Sequence, residues 1–470
     1  MLYVSTRGES PAISFADALL AGLARDGGLY MPERWPVLER GVIARFKGRP
    51  YRDVALEVIR PFVAGSISDA DLARLIAEAY SDFGHPDVAP LIELRPGEHL
   101  LELFHGPTLA FKDIAMQLLA RFMDHVLAER NERVTIVGAT SGDTGGAAVE
   151  AFRGRDRVDM VILFPAGRVS DVQRRMMTTA TEANVHAVAV DGTFDDCQAV
   201  VKALFNDHAF RDRVKMTGVN SINWARIVAQ SVYYFTAAAA LGAPERAIRF
   251  AVPTGNFGDI FAGYAATRMG LPIDRLIIAT NVNDILARTL ASGVYALHAV
   301  VATASPAMDI QVSSNFERLL FEAYGRNSVA LRGLMAASAK DKRFTIASEA
   351  LDAIRQVFSA GRADEAETSA TIRSVHAASG YVLDPHSAVG VSVARKFEGE
   401  GKSPVVALAT AHPAKFPDAV EAAIGKRPQL PDRLGDLGSR RERMAKLPAS
   451  VDAVARFVEE RSRAAAGAEA

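Results

Sequence analysis

The first part of the chain, up to about residue 95, alternates amphipathic helices with turns. Apolar residues recur at helical spacing after Ser14 and again from Ser68 to Tyr80. This spacing predicts two helices, the first with Ser14 as its N-cap. A group of prolines then interrupts the pattern and marks a boundary before the next unit, at Pro86, Pro90 and Pro96.

From about Leu100 the pattern changes to strand, loop and helix, repeated several times. The predicted strands are short apolar runs at Val134–Ala139, Met160–Phe164, Val185–Val190, Arg249–Val252, Arg275–Thr280 and Pro404–Ala409. Because these runs are continuously apolar rather than alternating, they predict an α/β fold with a parallel sheet covered by helices on both faces. Ligands in such folds bind beyond the carboxyl ends of the strands, so we expect the functional site there.

The last part of the chain, from about residue 426, lacks the repeated strand-and-helix pattern. Prolines, glycines and a charge run predict irregular surface structure over 426–450, followed by a helix over Asp452–Arg463 and an Ala/Gly tail. We therefore expect three parts: an N-terminal helical or α+β domain at 1–95, a central α/β region at 96–425 and a C-terminal extension at 426–470.

Composition narrows the class of function without identifying it. Lys and Arg number 54 against 55 for Asp and Glu, so there is no basic excess to suggest a nucleic-acid partner. No apolar run reaches the length of a membrane span, and the first residues lack a signal-peptide pattern. The single cysteine, Cys197, excludes an intrachain disulfide and is expected to be a packed side chain in a reducing, cytoplasmic protein. Histidines and carboxylates show no HExxH spacing, so we expect no metal site.

A lysine at the start of a predicted helix is the first candidate for chemistry. Lys112 follows a Gly106-Pro107 turn and precedes an apolar helical stripe that begins at Ala115. A helix N-terminus and apolar neighbours such as Phe111 both lower the pKa of an ammonium group, which suits an amine that forms an imine. Taken alone, the same pattern also fits an exposed lysine whose stem packs on the helix.

Three loops carry further candidates. The loops Thr140–Thr144 and Gly255–Gly258 each lie between a predicted strand and a predicted helix, where backbone N–H groups can bind a carboxylate or a phosphate. A third segment, with Asn220, Ser221 and Arg226, leads into another helix. Its polar side chains can bind a phosphate, to which Arg226 can donate two parallel hydrogen bonds. Each loop, taken alone, also fits an ordinary capped turn, the third with a surface arginine.

Together these stretches resemble the threonine synthases, a family of fold type II, or tryptophan-synthase-β-like, pyridoxal-phosphate enzymes. The most specific stretches are Leu101–Asp113 and Thr140–Gly145, in that order. The other matching stretches are Tyr3–Gly8, Asp26–Pro32, Pro165–Ser170, Pro253–Asp259, Ser305–Ile310, Ser314–Leu320, Asp384–His386 and Thr410–Phe416. The resemblance therefore extends over most of the chain, and its N-terminal block resembles the longer branch of the family.

The resemblance implies a cofactor, a reaction and a role for each motif. It implies pyridoxal phosphate held by Lys112 as a Schiff base, and conversion of O-phospho-L-homoserine and water into L-threonine and phosphate. The cofactor-binding residues it implies are Lys112, Phe111, Asp143, Gly255, Asn256, Phe257, Gly258 and Thr410. The substrate-binding residues it implies are Thr140, Ser141, Gly142, Thr144, Asn220, Ser221 and Arg226, the last three around the substrate phosphate.

Several alternatives stay open on the sequence. A serine/threonine dehydratase or another β-eliminating enzyme shares this fold, although a site for a substrate phosphate argues against it. A homologue that has lost catalysis and only binds a ligand is the second alternative. The resemblance also implies a smaller subdomain around 113–225 within the central region, and it leaves monomer and homodimer undecided.

Overall fold

The computed structural model describes residues 1–466, in which two large sheets are flanked by helices. The strands are, in chain order, β1 Tyr3–Ser5, β2 Tyr30–Pro32, β3 Leu91–Arg95, β4 Glu98–Glu102, β5 Val134–Ala139, β6 Val158–Pro165, β7 Val185–Asp191, β8 Met216–Thr217, β9 Ile248–Pro253, β10 Ile273–Thr280, β11 Val294–Ala296, β12 Arg343–Thr345, β13 Phe358–Arg362, β14 Val405–Ala409 and β15 Ala445–Pro448.

The helices alternate with these strands through the central region. They are α1 Phe15–Ala21, α2 Arg40–Ala44, α3 Tyr51–Val63, α4 Asp69–Ala79, α5 Lys112–Glu129, α6 Asp143–Phe152, α7 Asp171–Thr178, α8 Phe194–Asn206, α9 His208–Arg213, α10 Trp224–Ala240, α11 Gly258–Arg268, α12 Ile285–Ser292, α13 Phe316–Ala323, α14 Ser328–Asp341, α15 Ser348–Val357, α16 Glu365–Ser379, α17 Pro385–Lys396, α18 Pro417–Ile424, α19 Val451–Glu459 and α20 Arg463–Ala466. Over residues 1–466, none of these helices has the length and apolar character needed to cross a membrane.

The larger sheet has the strand order β13-β10-β9-β14-β4-β3 and is parallel except for β3, which runs antiparallel to β4. The smaller sheet has the order β15-β7-β6-β5-β8 and is parallel throughout. Its central strand β6 is buried along its whole length, as expected of a strand covered by helices on both faces. The predicted α/β class with parallel sheets is therefore confirmed.

Several predicted elements have the bounds that the pattern gave. The predicted strand Val134–Ala139 is β5, and the predicted helix after Ser68 is α4. Ser14 caps α1 by accepting a hydrogen bond from the backbone N–H of Asp17 at 3.1 Å. These elements are set by local signals, which the sequence displays directly.

Two predictions for the C-terminal part were wrong. The segment 426–450 is not wholly irregular, because Ala445–Pro448 forms β15 at the edge of the smaller sheet. This edge strand is half-exposed and lacks the apolar run that marked the inner strands. The helix α19 ends at Glu459 rather than at Arg463, whose side chain instead turns back to Asp159 at 2.7 Å. The Ala/Gly tail at 467–470 lies outside the described residues.

Apolar side chains pack on both faces of each sheet. The largest cluster joins the N-terminal helices to the central region, where the ring of Tyr3 lies 5.9 Å from Phe15 and 6.1 Å from Trp224. Another cluster covers the smaller sheet and includes Cys197, which is buried as predicted and whose thiol pKa burial raises to about 11. The N-terminal segment thus shares a core with the central region, and the proposed domain boundaries stay predictions.

The C-terminal helix α19 offers a test of this packing. Val458 is 0% exposed, so Val458→Ala should lower the free energy of unfolding by about 2 kcal/mol through loss of two buried methyl groups. Val451 in the same helix is 39% exposed, so Val451→Ala should change it by less than about 0.5 kcal/mol. Urea denaturation followed by circular dichroism measures both, and equal effects would contradict the packing of α19 on the sheet.

Candidate active site

Predicted site segments meet where strands of the two sheets end. Three neighbouring strands of the larger sheet, β9, β14 and β4, lead into Gly255–Gly258, Thr410 and the loop before Lys112. The smaller sheet contributes the segment after β5, which brings in Asp143 at the start of α6. These residues line one cavity, which thus lies beyond the carboxyl ends of the strands, as predicted.

Lys112 is the first residue of α5 and is only 8% exposed. Its Nζ lies 4.6 Å from the centre of the Phe111 ring and 3.7 Å from Oδ2 of Asp143. Burial lowers the pKa of Lys112 below its ordinary value, and the Asp143 carboxylate opposes that change in part. The structure therefore places this lysine inside the cavity wall and not on the surface, the alternative that the sequence left open.

The carboxylate of Asp143 is the centre of a buried ionic network. Its Oδ1 accepts hydrogen bonds from Nζ of Lys415 at 2.8 Å and from Nε2 of Gln173 at 2.9 Å. Burial opposes ionisation of Asp143, but the Lys415 and Lys112 ammonium groups outweigh it and hold the pKa well below its usual range. Lys415 is 1% exposed and also donates to the carbonyl oxygen of Thr108 at 2.7 Å. A permanently charged carboxylate therefore stands beside Lys112.

The turn Gly255–Gly258, which we call the cofactor cradle, connects β9 to α11. Phe257 has a φ of 62°, in the left-handed region, directly before the first helical residue. A Cβ atom on Gly255 would lie 2.8 Å from the carbonyl oxygen of Ala307, so only glycine fits there without a backbone shift. The first N–H groups of α11 have no partner within the helix, and such N-termini bind anions.

Thr410 follows β14 and lies beside the lysine segment. Its carbonyl oxygen accepts a hydrogen bond from the backbone N–H of Phe111 at 2.9 Å, and its own N–H donates to Oγ of Ser387 at 3.1 Å. Thr410 is 5% exposed and is held next to Lys112 in the wall of the cavity.

Arg226 and Ser221 line another part of the cavity, and we call them the phosphate clamp after the role that the family resemblance implies for them. Arg226 is 4% exposed, and its Nη1 donates to the carbonyl oxygen of Val219 at 3.3 Å. Within residues 1–466 its Nε has no hydrogen-bond partner and its guanidinium makes no ion pair. Burial lowers its pKa to about 10, which leaves it charged at neutral pH. A buried charge without a counterion is costly, so this wall favours an anionic ligand.

The chain is similar to known proteins over most of its length. Residues 2–80 match the family described as threonine synthase N terminus, 89–411 match pyridoxal-phosphate dependent enzyme, and 387–458 match threonine synthase, C-terminal. The threonine synthase of Pseudomonas aeruginosa is 53% identical over 459 residues, which cover 97% of this chain and 98% of that protein. The chain belongs to the threonine synthase family.

Solved structures of the family share the fold. The structure of pyridoxal-phosphate-bound threonine synthase from Brucella melitensis is 60% identical with a TM-score of 0.96, covering 98% of this chain and 100% of that one. Threonine synthase from yeast is 39% identical with a TM-score of 0.93, covering 98% of each chain.

The fold class, cofactor and reaction that we expected are thereby confirmed. The chain is a fold type II, pyridoxal-phosphate-dependent lyase that converts O-phospho-L-homoserine and water into L-threonine and phosphate in threonine biosynthesis. This assignment favours threonine synthesis over the dehydratase alternative.

The residues present in the cavity fit pyridoxal phosphate. Imine formation needs an amine of lowered pKa, which burial gives Lys112. The phosphate needs free N–H groups with room for close approach, and the cofactor cradle offers a helix N-terminus behind a turn where Gly255 has no space for a side chain. Phe111 adds an apolar surface beside the lysine.

Four residues that were predicted to bind substrate do not line the cavity, namely Thr140, Ser141, Gly142 and Asn220. Thr140 is buried, and its Oγ1 accepts hydrogen bonds from the N–H groups of Gly142 at 3.0 Å and Gly145 at 2.9 Å, which shapes the turn. Ser141 and Asn220 are exposed. Thr144 does line the cavity, as does its neighbour Asp143. Substrate binding by Thr144 and by the four residues outside the cavity lining stays a prediction.

The structure adds residues that were not predicted for the site. Gln230, Asp259 and His386 line the cavity, and Lys415 reaches it through Asp143. Burial raises the pKa of Asp259 to about 6, and the hydroxyl of Tyr234 donates to its Oδ1 at 3.0 Å. Three of the four lie in stretches that carried the family resemblance, Pro253–Asp259, Asp384–His386 and Thr410–Phe416, but nothing local distinguished them from turn and capping residues.

The charge on Asp143 predicts a pH effect. An ionised carboxylate 3.7 Å from the Lys112 nitrogen favours the protonated form of that nitrogen, so Asp143→Asn should lower the midpoint of its titration by about one unit or more. Spectrophotometric titration of the visible absorbance of the bound cofactor measures the midpoint. Asp143→Glu keeps the charge, so its midpoint should stay closer to that of the wild type. An unchanged or raised midpoint in Asp143→Asn would contradict the effect of the Asp143 charge on the Lys112 nitrogen.

Proposed function

We propose that one cavity holds the cofactor and O-phospho-L-homoserine side by side, each phosphate at a different wall. The cofactor cradle would hold the cofactor phosphate, and the phosphate clamp would hold the substrate phosphate. The observation that carries this proposal is the Arg226 guanidinium, which is buried and charged, and whose Nε has no partner in the described part of the chain. Two separate anion-binding groups in one cavity match a reaction with two phosphorylated molecules.

Cofactor binding is assigned to residues from both sheets. Lys112 would attach the cofactor covalently, Phe111 would pack beside it, and Thr410 would lie by the pyridine nitrogen, where a hydroxyl does not protonate the ring as an aspartate does. Asp143 would face the ring hydroxyl and the Lys112 nitrogen, since its Oδ2 lies 3.7 Å from that nitrogen. The bound cofactor supplies the electron sink that makes the α- and β-hydrogens of the substrate acidic.

Proton transfer is assigned to Nζ of Lys112. Burial lowers its pKa, which increases the fraction of neutral amine available to accept the α-proton and, after that proton has been passed on, a β-proton. Asp143 stabilises the ammonium form that each transfer creates. One nitrogen with both an apolar wall and a fixed carboxylate can therefore take up and return protons within the same site.

Departure of phosphate from the γ-carbon is assigned to the phosphate clamp. A fixed guanidinium stabilises the charge of the departing phosphate without reorganisation, and burial strengthens the interaction. The substrate carboxylate is assigned to the start of α6, where a helix N-terminus favours an anion. Of the residues expected to bind it, Thr144 lines the cavity, and Thr140, Ser141 and Gly142 shape the turn that precedes it. The single, buried Cys197 supports a cytoplasmic location, which stays a prediction.

Lys112→Ala should abolish turnover and covalent attachment of the cofactor, because alanine has no amine. In the wild-type enzyme, borohydride reduction followed by peptide mass spectrometry should locate the cofactor on Lys112. A label on Lys415, the other buried lysine beside Asp143, would contradict the assignment.

Arg226→Ala should lower kcat/KM for O-phospho-L-homoserine by about 100-fold, because a charge-assisted contact to the phosphate is lost. Cofactor affinity, measured by titrating the apo-enzyme with pyridoxal phosphate, should change by less than about threefold, since the cofactor cradle is intact. Arg226→Lys keeps the charge but loses the planar guanidinium, so its kcat/KM should fall between those of the wild type and Arg226→Ala. Unchanged kcat/KM in Arg226→Ala would refute the phosphate clamp.

A further inference from the structure

The segment Ser314–Leu320 carried part of the family resemblance, and none of its residues lines the cavity in the part of the chain that the structure describes. Two of its polar residues are nevertheless fully buried: Asn315 and Arg318 are each 0% exposed. Burial of an amide and a guanidinium is costly unless their hydrogen bonds are made, so their partners indicate what they do.

Asn315 connects the two phosphate-binding loops directly. Its Nδ2 donates to the carbonyl oxygen of Asn256 in the cofactor cradle at 2.9 Å and to the carbonyl oxygen of Ser221 in the phosphate clamp at 3.2 Å. Its backbone N–H donates to the same Asn256 oxygen at 3.1 Å. One side-chain amide thus bridges the two loops, and a Cβ on Gly258 would lie 3.3 Å from its Nδ2.

Arg318 fixes Asn315 and extends the connection to the N-terminal segment. Its Nη1 donates to Oδ1 of Asn315, and its Nη2 donates to the carbonyl oxygens of Ile222 at 2.6 Å and of Tyr30 at 3.0 Å. Its Nε reaches the same Tyr30 oxygen at 3.2 Å. The guanidinium also lies over the Trp224 ring, 5.5 Å from its centroid.

The hydrogen bonds of Arg318 explain why it is buried. Its three side-chain nitrogens all donate to protein oxygens, on Tyr30 in β2, on Ile222 and on Asn315, and within the described chain none of them pairs with a carboxylate. Burial lowers its pKa to about 9, so it remains charged at neutral pH. A planar guanidinium can donate hydrogen bonds to oxygens of three segments at once, whereas the donors of a lysine ammonium are all on a single nitrogen.

We propose that Asn315 and Arg318 are positioning residues that set the spacing between the cofactor cradle and the phosphate clamp. This inference rests on the roles proposed above for those two loops. The reaction requires the substrate phosphate to lie at the phosphate clamp while the α-carbon of the same molecule lies at Lys112, so the two loops must be held at a separation that fits the substrate. Asn315 and Arg318 supply that separation through backbone carbonyls, so neither contacts the reacting atoms.

The test compares two arginines that bond the N-terminal segment. Arg318→Lys should raise KM for O-phospho-L-homoserine and the inhibition constant for inorganic phosphate together, each by about tenfold or more, because Ile222 and Ser221 lose their fixed position. Arg326 is the matched control: it bonds the carbonyl oxygens of Pro32 at 3.0 Å and Glu33 at 2.7 Å, without a hydrogen bond to either loop. Arg326→Lys should leave both constants within about twofold of wild type.

A merely structural role gives a different result. Arg318→Lys would then lower the melting temperature and the active fraction, while KM and the inhibition constant for phosphate would stay unchanged, as expected for Arg326→Lys. That outcome would overturn the proposal.

Asn315→Ala provides a second variant, which carries the test alone if Arg318→Lys does not fold. It removes the donor to both loops, so the dissociation constant of pyridoxal phosphate for the apo-enzyme and the phosphate inhibition constant should both rise by about tenfold. A rise in neither constant would overturn the proposal.

Arg226→Ala separates this inference from the proposed function. If Arg226→Ala leaves KM and the phosphate constant unchanged, the phosphate clamp itself is wrong, and the positioning role falls with it. If Arg226→Ala raises both constants and Arg318→Lys and Asn315→Ala raise neither, the clamp stands and only the positioning role is refuted.

Discussion

The ion pairs of Asp143 are the interaction on which the active site depends. This carboxylate comes from helix α6 beyond the smaller sheet, while its partners Lys112 and Lys415 come from the segments that follow β4 and β14 of the larger sheet. All three side chains are buried, so loss of one partner would leave an uncompensated charge, which costs several kcal/mol. The carboxylate that connects the two sides of the cavity therefore also sets the charge around the amine of Lys112.

Two buried arginines near the cavity differ in their hydrogen bonds, and this difference is the reason why we propose ligand binding for Arg226 and positioning for Arg318. Arg318 directs its three nitrogens to oxygens of the protein, so it has little left to offer a ligand. Arg226 makes one bond of 3.3 Å to Val219, and over residues 1–466 its Nε has no partner. Its remaining donors are available, which is the condition for binding a phosphate. Both guanidiniums are buried, and the difference between them lies in which hydrogen bonds the fold has already made.

The sequence predicted the parts of the structure that depend on local signals. Strand β5, the cap at Ser14 and the cofactor cradle were visible because apolar runs, capping residues and glycines act over a few residues. The family resemblance added Lys112 and Thr410. Strand β15 and Lys415 were not predicted, because their partners lie more than 250 residues away in sequence, at Val188 to Asp191 and at Asp143. An edge strand and a buried lysine are defined by such distant contacts, which periodicity does not report.

The N-terminal segment is hydrogen-bonded to residues next to the active site. None of residues 1–95, all of which the structure describes, lines the cavity itself. Arg318 holds the carbonyl oxygen of Tyr30 in strand β2 and that of Ile222 beside the phosphate clamp with one guanidinium. Next to it, Glu317 accepts a hydrogen bond from Oγ1 of Thr6 at 2.7 Å and pairs with Arg7 at 3.2 Å, which connects the same helix to the residues directly after strand β1. A displacement of β2 must therefore break these buried bonds or move the loop that would hold the substrate phosphate. The N-terminal segment is thus bonded to α13, and the positioning role proposed for Arg318 includes it.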